Sequence, residues 1–385
     1  MPHIEIYNYQ NLDSLQWEEI NEASSIKPML VPMVKSGSGI FVKNSAHEVQ
    51  LLKLDQTVFP LLLGNRHPQD PTYLSSPLVQ YFDLAREEIE MELKGKRSWR
   101  AWVAPPALQL MRRLFRALSF EQVVFVNNWL LSTNLYPSFE PSLLWDVLSK
   151  LVKAFPRRAI IFRSVNTQTE ADILWTLSSL GFKPVISRPV LMLDTQQGHY
   201  RKKRMFKMDE KLWASQKDYY WEEGAKVKPS EISRILDLYE ALYRHKYSAY
   251  NPAYRAEMIA TWLHSGLMEF QILRREGKIY GFTAFWKRKG ILTTPFIGYD
   301  ASRPQQEGLY RFINLRLMQE AIQQKLWLNM SSGAAHFKRL RGGLPCLEYN
   351  MVYVKHLPLH QRMPWELYSQ ISEKIAIPAI QKYNL

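Results

Sequence analysis

Residues 293–310 read TTPFIGYDASRPQQEGLY, and this stretch decides the fold that we expect. The apolar run that ends at Tyr299 predicts a strand, the polar residues after Asp300 predict a loop, and a helix is expected to begin at about Gly308. The first turn of a helix carries unpaired N–H groups and the positive end of the helix dipole, and both favour a phosphate. The stretch therefore predicts a phosphate-binding strand–loop–helix unit, with simple helix capping by glycine as the alternative.

The segments on either side of this stretch show a repeated order of elements. Buried strands are predicted at 123–126, 159–162, 185–193, 269–273, 279–286, 290–299, 326–330 and 347–356. Amphipathic helices are predicted before and between them, at 82–94, 106–118, 141–153, 169–180, 229–243, 308–324 and 334–340. Residues 1–35 are expected to be irregular, and residues 40–42 to form a short strand.

Both halves of the chain therefore follow the order strand, loop, helix, strand, short helix, strand, without close residue identity. This order predicts an α/β protein with mixed sheets (α+β mixed sheets) and an internal structural repeat. We expect one lobe in residues 1–200 and a second in residues 201–385, with the boundary near 195–220.

The spacing Gln305-x-x-Gly308-x-Tyr310 resembles the Gln/Arg-x-x-Gly-x-Gly/Ala loop with which GNAT enzymes hold the pyrophosphate of coenzyme A. Tyr310 departs from that pattern, because a bulky side chain stands where the family has a small one. Residues 326–343 and the strand after them resemble the end of the GNAT fold, especially its Fem-type branch. Residues 243–254 resemble the helix-to-loop segment of that branch.

The resemblance covers about 215–356 well and about 100–195 only in the order of elements. It implies two tandem GNAT-like lobes, with the donor in the second lobe. The first lobe, which lacks a glycine-rich loop, is then a degenerate copy.

The resemblance and the chemistry of the side chains suggest three sets of site residues. The donor set is Arg303, Gln305, Gln306, Gly308, Tyr310, Lys338, Arg339 and Arg341. The catalytic set is Asp300, His336 and Glu348, which can move a proton at the amine. The set for an acceptor groove is Tyr247, Tyr250, Asn251 and Tyr254.

Each of these residues also has a structural interpretation. Asp300 is a good turn former, His336 suits a surface position, and the basic residues 338–341 suit a solvated turn. Glu269 is a strand carboxylate like Glu348, and solvation at a sheet edge explains either one. Tyrosines pack well at an amphipathic edge. A covalent acyl step on Cys346 is a further alternative, although no His/Asp arrangement is identifiable around it.

Composition and charge restrict the function classes. The 385 residues carry a net charge of +14, which favours anionic partners such as a nucleotide phosphate, an acidic carrier protein, RNA or a membrane face. The densest basic run is 201–204, which is either a docking site or a solvated face. Cys346 is the single cysteine, so no internal disulfide or cysteine-based zinc site forms. The scattered histidines indicate no metal site, and the lack of a signal peptide or spanning segment favours the cytoplasm.

These features together predict an N-acyltransferase. We expect it to move an acyl group, preferably a fatty acyl group, from acyl-CoA or the phosphopantetheine of an acyl-carrier protein. The expected acceptor is an amine such as a lysine or ornithine side chain of a peptide. One alternative is a Fem-like aminoacyltransferase that uses charged tRNA, against which stands the lack of a long helical-hairpin insertion. The other is a non-catalytic GNAT-like binding protein.

Overall fold

A computed structural model describes residues 3–65, 71–93, 99–378 and 380. In this part of the chain, twelve strands form one sheet. The strands are β1 Ile4–Tyr7, β2 Glu48–Leu54, β3 Thr57–Leu63, β4 Val123–Val126, β5 Ala159–Asn166, β6 Lys183–Asp194, β7 Tyr219–Glu223, β8 Glu269–Arg275, β9 Lys278–Arg288, β10 Ile291–Tyr299, β11 Trp327–Asn329 and β12 Leu344–Tyr353.

Helices cover both faces of this sheet. They are α1 Ala23–Ser36, α2 Leu84–Leu93, α3 Trp99–Ala117, α4 Leu144–Ala154, α5 Ala171–Ser179, α6 Arg204–Ser215, α7 Ile232–Glu240, α8 Ala256–Ser265, α9 Leu309–Gln323, α10 Ala335–Arg339 and α11 Leu359–Ile371. Because of this cover, β5 is buried on both faces and consists of the continuous apolar run Ala159–Phe162 before it turns polar.

The strand order in the sheet is β1-β2-β3-β4-β5-β12-β6-β11-β10-β9-β8-β7. Read from either edge, five consecutive strands are followed by one strand from the other half of the chain. In both halves the fourth and fifth strands are parallel: β4 with β5, and β10 with β11. The described sheet confirms the mixed α/β class and the two-lobed organisation that the sequence predicts.

The two lobes exchange their last strands. β12 lies between β5 and β6, while β6 lies between β12 and β11. The junction of the lobes is therefore a pair of antiparallel strands, in which Glu348 lies opposite Arg188. The division of the chain at residue 200 remains a prediction.

Two predictions for the N-terminal region are wrong. Residues 1–35 contain β1 and α1, and α1 was missed because Pro28 and Pro32 lie inside it. Residues 40–42 do not form a strand, since residues 38–40 form a 3-10 turn and Val42 makes only an isolated bridge to Tyr254.

The first lobe also contains a helical pair, whose members overlap the helices predicted at 82–94 and 106–118. α2 and α3 contact each other and lie in the connection between β3 and β4. The corresponding connection between β9 and β10 in the second lobe is a tight turn at Lys289–Gly290. The expectation that the chain lacks a helical insertion is therefore corrected.

Candidate functional site

The site begins where two parallel strands separate. β10 and β11 pair at three positions, from Ile291 opposite Trp327 to Thr293 opposite Asn329. β11 ends there, whereas β10 continues to Tyr299. Near this point, Thr294 and Pro295 lie at a register shift between β10 and β9. Beyond Thr293 the backbone of β10 therefore does not pair with β11, which leaves room for a ligand between the two strands.

Helix α9 begins beside this gap. Gly308 precedes the helix with a φ of 79°, a left-handed conformation that favours glycine. A Cβ atom at this position would lie 2.7 Å from Cδ2 of Leu212 in α6. Gly308 offers no side chain to cap the helix, so the N–H groups of the first turn are available to a bound anion.

A cavity of about 490 Å³ lies in front of this helix terminus. Its lining combines the end of β10, the loop before α9, the first turn of α9, and residues from α6 and α10. The lining residues are Met205, Lys246, Tyr299, Asp300, Ala301, Arg303, Pro304, Gln305, Gly308, Leu309, Tyr310, Arg311, Phe337 and Arg341. Six of the residues predicted from sequence are therefore brought together at one cavity: Asp300, Arg303, Gln305, Gly308, Tyr310 and Arg341.

The cavity wall is electropositive, because four cations and a single carboxylate line it. Arg311 and Arg341 both bind the buried carboxylate of Asp209, at 2.6 Å and 3.0 Å, which fixes their positions. Arg303 pairs with Glu307 at 2.6 Å. Lys246 is exposed at the edge. Such an arrangement, in front of a helix N-terminus, suits a phosphate-bearing ligand.

Tyr310 forms part of an aromatic wall of the cavity. Its ring lies 4.8 Å from the ring of Phe337 and 5.7 Å from that of Tyr299. Phe337 in turn packs under the guanidinium of Arg341, 3.3 Å from its Cζ atom to the ring centre. The departure from the family's small residue therefore replaces a small side chain with an apolar surface on one side of the cavity.

A cluster of buried ionisable groups lies at the strand exchange. Glu348 is buried, and its Oε1 accepts a hydrogen bond from Nε of Arg188 at 3.2 Å. Its Oε2 has no hydrogen-bond partner in the described part of the chain. The Nη2 group of Arg188 donates to Oγ1 of Thr133 at 2.5 Å.

Lys338 belongs to the same cluster. It is buried in α10, and its Nζ donates to the carbonyl oxygens of Ser332 at 2.7 Å and Ser331 at 3.3 Å. Burial, followed by the positive charge of Arg188, lowers the pKa of Lys338 to about 7. A lysine that is partly neutral at neutral pH can accept a proton.

Tyr243 connects this cluster with the cavity. It lies close enough to Tyr310 and to Arg188 for both to act on its pKa, which burial raises above the ordinary value. Tyr243 and Arg188 are both partly exposed, and the side chain of Arg188 keeps 14% of its surface accessible.

The other predicted catalytic residues lie in less favourable positions. Asp300 pairs with Arg234 at 2.7 Å. Although burial raises the pKa of Asp300, the hydrogen bonds from Ser302 and Arg234 outweigh it and lower that pKa, which disfavours a role as a base. His336 is exposed on α10 and does not line the cavity.

Three members of the predicted donor set also lie outside the cavity lining. Gln306 is exposed in the turn before α9, and Arg339 is partly exposed on α10. Lys338 is not in the lining either, because its side chain is buried.

The predicted acceptor tyrosines are mostly structural. Tyr254 is buried, and its hydroxyl donates to the carbonyl of Leu130 at 2.8 Å. Asn251 donates to the carbonyl oxygens of Tyr243 and Ser248, which closes its own loop. The backbone of Tyr250 accepts from Thr72, and Tyr247 is exposed. The assignment of Tyr254 to the groove is corrected, since it packs among aromatic core residues.

The structure also shows the positions of Glu269 and Cys346, the two alternative candidates for a chemical role. The side chain of Glu269 is mostly exposed and pairs with Lys287 at 2.6 Å. Cys346 is buried, and burial raises the pKa of its thiol, which disfavours the reactive thiolate.

Sequence reasoning missed Arg188, Arg311 and Asp209. A signal for Arg188 was present, because it interrupts the apolar strand 185–193, and a charge inside a buried strand needs a partner. Asp209 had no comparable signal, since it lies in a segment of alternating charges that resembles a solvated surface.

Residues 214–339 match the sequence family described as the acetyltransferase (GNAT) domain. This part of the chain is a GNAT domain. It contains β10, β11 and the first turn of α9, so it holds the cavity. The predicted GNAT-type transferase is confirmed by this match, and acyl-CoA is the donor that GNAT domains use. No curated protein matches the sequence.

Several solved structures resemble the chain around this GNAT domain. A tandem GNAT protein from the clavulanic acid biosynthesis pathway is 8% identical, with a TM-score of 0.40 over 92% of this chain and 99% of that one. FemX is 10% identical, with a TM-score of 0.44 over 60% of this chain and 79% of its own. L-PGS from Bacillus licheniformis is 14% identical, with a TM-score of 0.42 over 60% and 78% of the two chains.

The structure also bears on membrane insertion. In the ranges described, every helix is too short or too polar to cross a bilayer.

Proposed function

We propose that this protein is an N-acyltransferase that transfers an acyl group, preferentially a fatty acyl group, from a thioester donor to a primary amine of a peptide. The observation that carries the proposal is the cavity at the N-terminus of α9, beside the separated strands β10 and β11. It combines helix N–H groups, arginines and an aromatic wall within about 490 Å³.

The donor carries phosphates and an acyl group, and the cavity offers a surface for each. The phosphates of coenzyme A, or of a carrier protein's phosphopantetheine, would lie against the first turn of α9, near Arg303 and Arg311. The thioester supplies the activated acyl group. The free backbone of β10 would hold the chain that leads to it, and oriented N–H groups near the reacting carbonyl stabilise developing negative charge.

The acceptor amine would approach beside Tyr243 and Arg188, which are partly exposed near the buried Glu348. A protonated amine must lose a proton before it attacks. Lys338, with a pKa of about 7, is suited to take that proton, directly or through a water molecule. Glu348 has a free Oε2 that can hold the ammonium group before the transfer. Holding both substrates in this geometry contributes much of the rate.

A fatty acyl group needs an apolar lining, and the core aromatic residues on the strands at 280–299 do not supply it. Phe282 and Phe296 instead pack in the core, with ring centres 4.8 Å apart. The apolar surface that supports a fatty acyl group is the wall formed by Tyr299, Tyr310 and Phe337.

The direct test is a donor and acceptor screen. The purified protein is incubated with acetyl-CoA or hexadecanoyl-CoA and a peptide containing lysine and ornithine, and the products are measured by mass spectrometry. We expect acylation of a side-chain amine with a preference for the long chain. A strict preference for acetyl-CoA would contradict the fatty acyl proposal and retain the transferase.

A Fem-like aminoacyltransferase is the second candidate, favoured by the net charge of +14. It predicts aminoacyl transfer from charged tRNA, with binding that weakens steeply as salt rises. A non-catalytic binding protein is the third, and it predicts retention of a donor without turnover in the same screen.

A further inference from the structure

The exposed face of α6 is the most basic helical surface beside the cavity. Its cations are Lys203, which precedes the helix, and Arg204, Lys207 and Lys211 within it. A helix turns by roughly 100° per residue, so these four side chains lie within about a third of its circumference. We call them the basic α6 face. Arg201 and Lys202 are exposed just before it.

These cations are not used inside the protein. Arg311 and Arg341 share the carboxylate of Asp209, on the opposite side of the same helix. None of the four residues of the basic α6 face forms an ion pair within the described ranges, and all four are exposed. Glu210, at the edge of the face, is the one exposed carboxylate within α6. The face therefore presents a net positive charge to solvent.

The same helix reaches the cavity. Met205 lines the cavity, and Leu212 packs where a Cβ atom of Gly308 would stand. Met208 is 41% exposed and lies between the basic α6 face and Met205 around the helix. An exposed methionine beside a row of cations is typical of protein interfaces, in which methionine is enriched.

We propose that the basic α6 face docks an acidic carrier protein, which delivers the donor thioester into the cavity on its phosphopantetheine arm. This inference rests on the proposed transfer from a thioester donor and assigns the donor's source. Lysines at four-residue spacing match the carboxylates of an acidic helix in charge and spacing, while Met208 offers an apolar contact at the cavity mouth. The phosphate groups of a nucleic acid would pair with the cations but give Met208 no apolar partner, whereas an acidic amphipathic helix supplies both, which favours a protein.

The test compares one acyl group on two donors. Initial rates are measured with hexadecanoyl-CoA and with an acidic acyl-carrier protein charged with the hexadecanoyl group, for wild type and for K207E/K211E. Neither residue lines the cavity. We expect KM for the carrier to rise about tenfold or more and to depend on salt, with kcat/KM for hexadecanoyl-CoA within about twofold of wild type. The control is K150E/K153E, which reverses two exposed lysines on α4.

A binding measurement separates the two proposals. Fluorescence anisotropy of labelled, uncharged holo-carrier reports docking without turnover. Binding at low salt that K207E/K211E abolishes supports docking, even if no donor is turned over and the proposed function fails. Transfer from hexadecanoyl-CoA without carrier binding overturns docking and leaves the function intact. Loss of tRNA retention in K207E/K211E, with carrier binding unchanged, also overturns docking.

Discussion

The two lobes contain the same gap between parallel strands and treat it differently. In the first lobe, β4 and β5 pair from Val123 opposite Ala159 to Val126 opposite Phe162. The chain then turns into the gap, and residues 127–131 fill it with fully buried side chains. In the second lobe, the pairing of β10 and β11 also ends after a few residues, but the space beyond it remains open as the cavity.

The filled gap is held by a polar network. The indole N–H of Trp129 donates to Asn127 at 2.7 Å, and its backbone N–H donates to Asn134 at 2.9 Å. The backbone N–H of Asn134 in turn donates to Ser164 on β5 at 3.0 Å. The helix that follows starts at Pro141, which lacks an N–H group. The comparison shows that strand topology creates the space, whereas loop residues decide whether it binds a ligand.

The largest effect is expected from emptying the filled gap. Trp129→Ala removes a fully buried ring that packs against Trp286, so unfolding should become easier by about 3–5 kcal/mol. Denaturant titration measures this loss. Trp175→Ala is the matched control, because Trp175 is 72% exposed. A small loss for Trp129→Ala would mean that the first gap is not a packed core.

The next largest effect is expected at Lys338. Lys338→Met should lower kcat by about a hundredfold or more with little change in donor KM. In the wild type, kcat/KM should rise with pH up to about 7 and then level off, as Lys338 loses its proton. Lys338→Arg, which stays protonated, should not restore activity. Restoration by arginine would indicate that a fixed positive charge is what matters.

The pH dependence of the melting temperature tests the same residue without an activity assay. The pKa of Lys338 is lower in the folded state than in the unfolded state. Its contribution to the free energy of unfolding is therefore fully present when the pH is above the pKa of the unfolded state, and it is lost as the pH falls to about 7. Lys338→Met should therefore melt above the wild type at pH 6, with the difference shrinking towards pH 10. A difference that does not change with pH would contradict the buried, partly neutral lysine.

A smaller effect is expected at the open gap's helix terminus. Gly308→Ala should weaken hexadecanoyl-CoA binding by about tenfold, because its Cβ atom would push Leu212 and shift the first turn of α9. Calorimetry measures the affinity. Gly290→Ala is the control, since Gly290 has a φ of 72° and nothing within 4 Å of its Cβ position. Equal losses in both variants would point to backbone strain alone.

The smallest effect is expected where the lobes meet at Glu170. Burial raises the pKa of Glu170 to about 8, despite the neighbouring Lys289 of the second lobe. Because the folded value is raised, this contribution to stability is lost as pH rises through about 8. Glu170→Gln should reduce the fall in melting temperature between pH 6 and 9. Glu140→Gln, at an exposed site, should leave it unchanged.

The sequence predicted those helices and strands that depend on residues close together in the chain. Continuous apolar runs identified β4, β5 and β10, and Gly308 marked the start of α9. The strand exchange was not predictable, because pairing between β5 and β12 depends on the whole chain. The burial of Tyr254 and Lys338 was not predictable for a related reason, because a single sequence shows residue type without burial.

The strand exchange also affects how the protein is made. Asn166 on β5 pairs with Glu348 on β12, so the first lobe is synthesised long before its last neighbour leaves the ribosome. During that time β5 and β6 present unpaired backbone edges, which other chains can join. Pairing between such distant segments is slow. The nascent chain must therefore be shielded until β12 inserts, and a truncation before Leu344 should leave the first lobe aggregating.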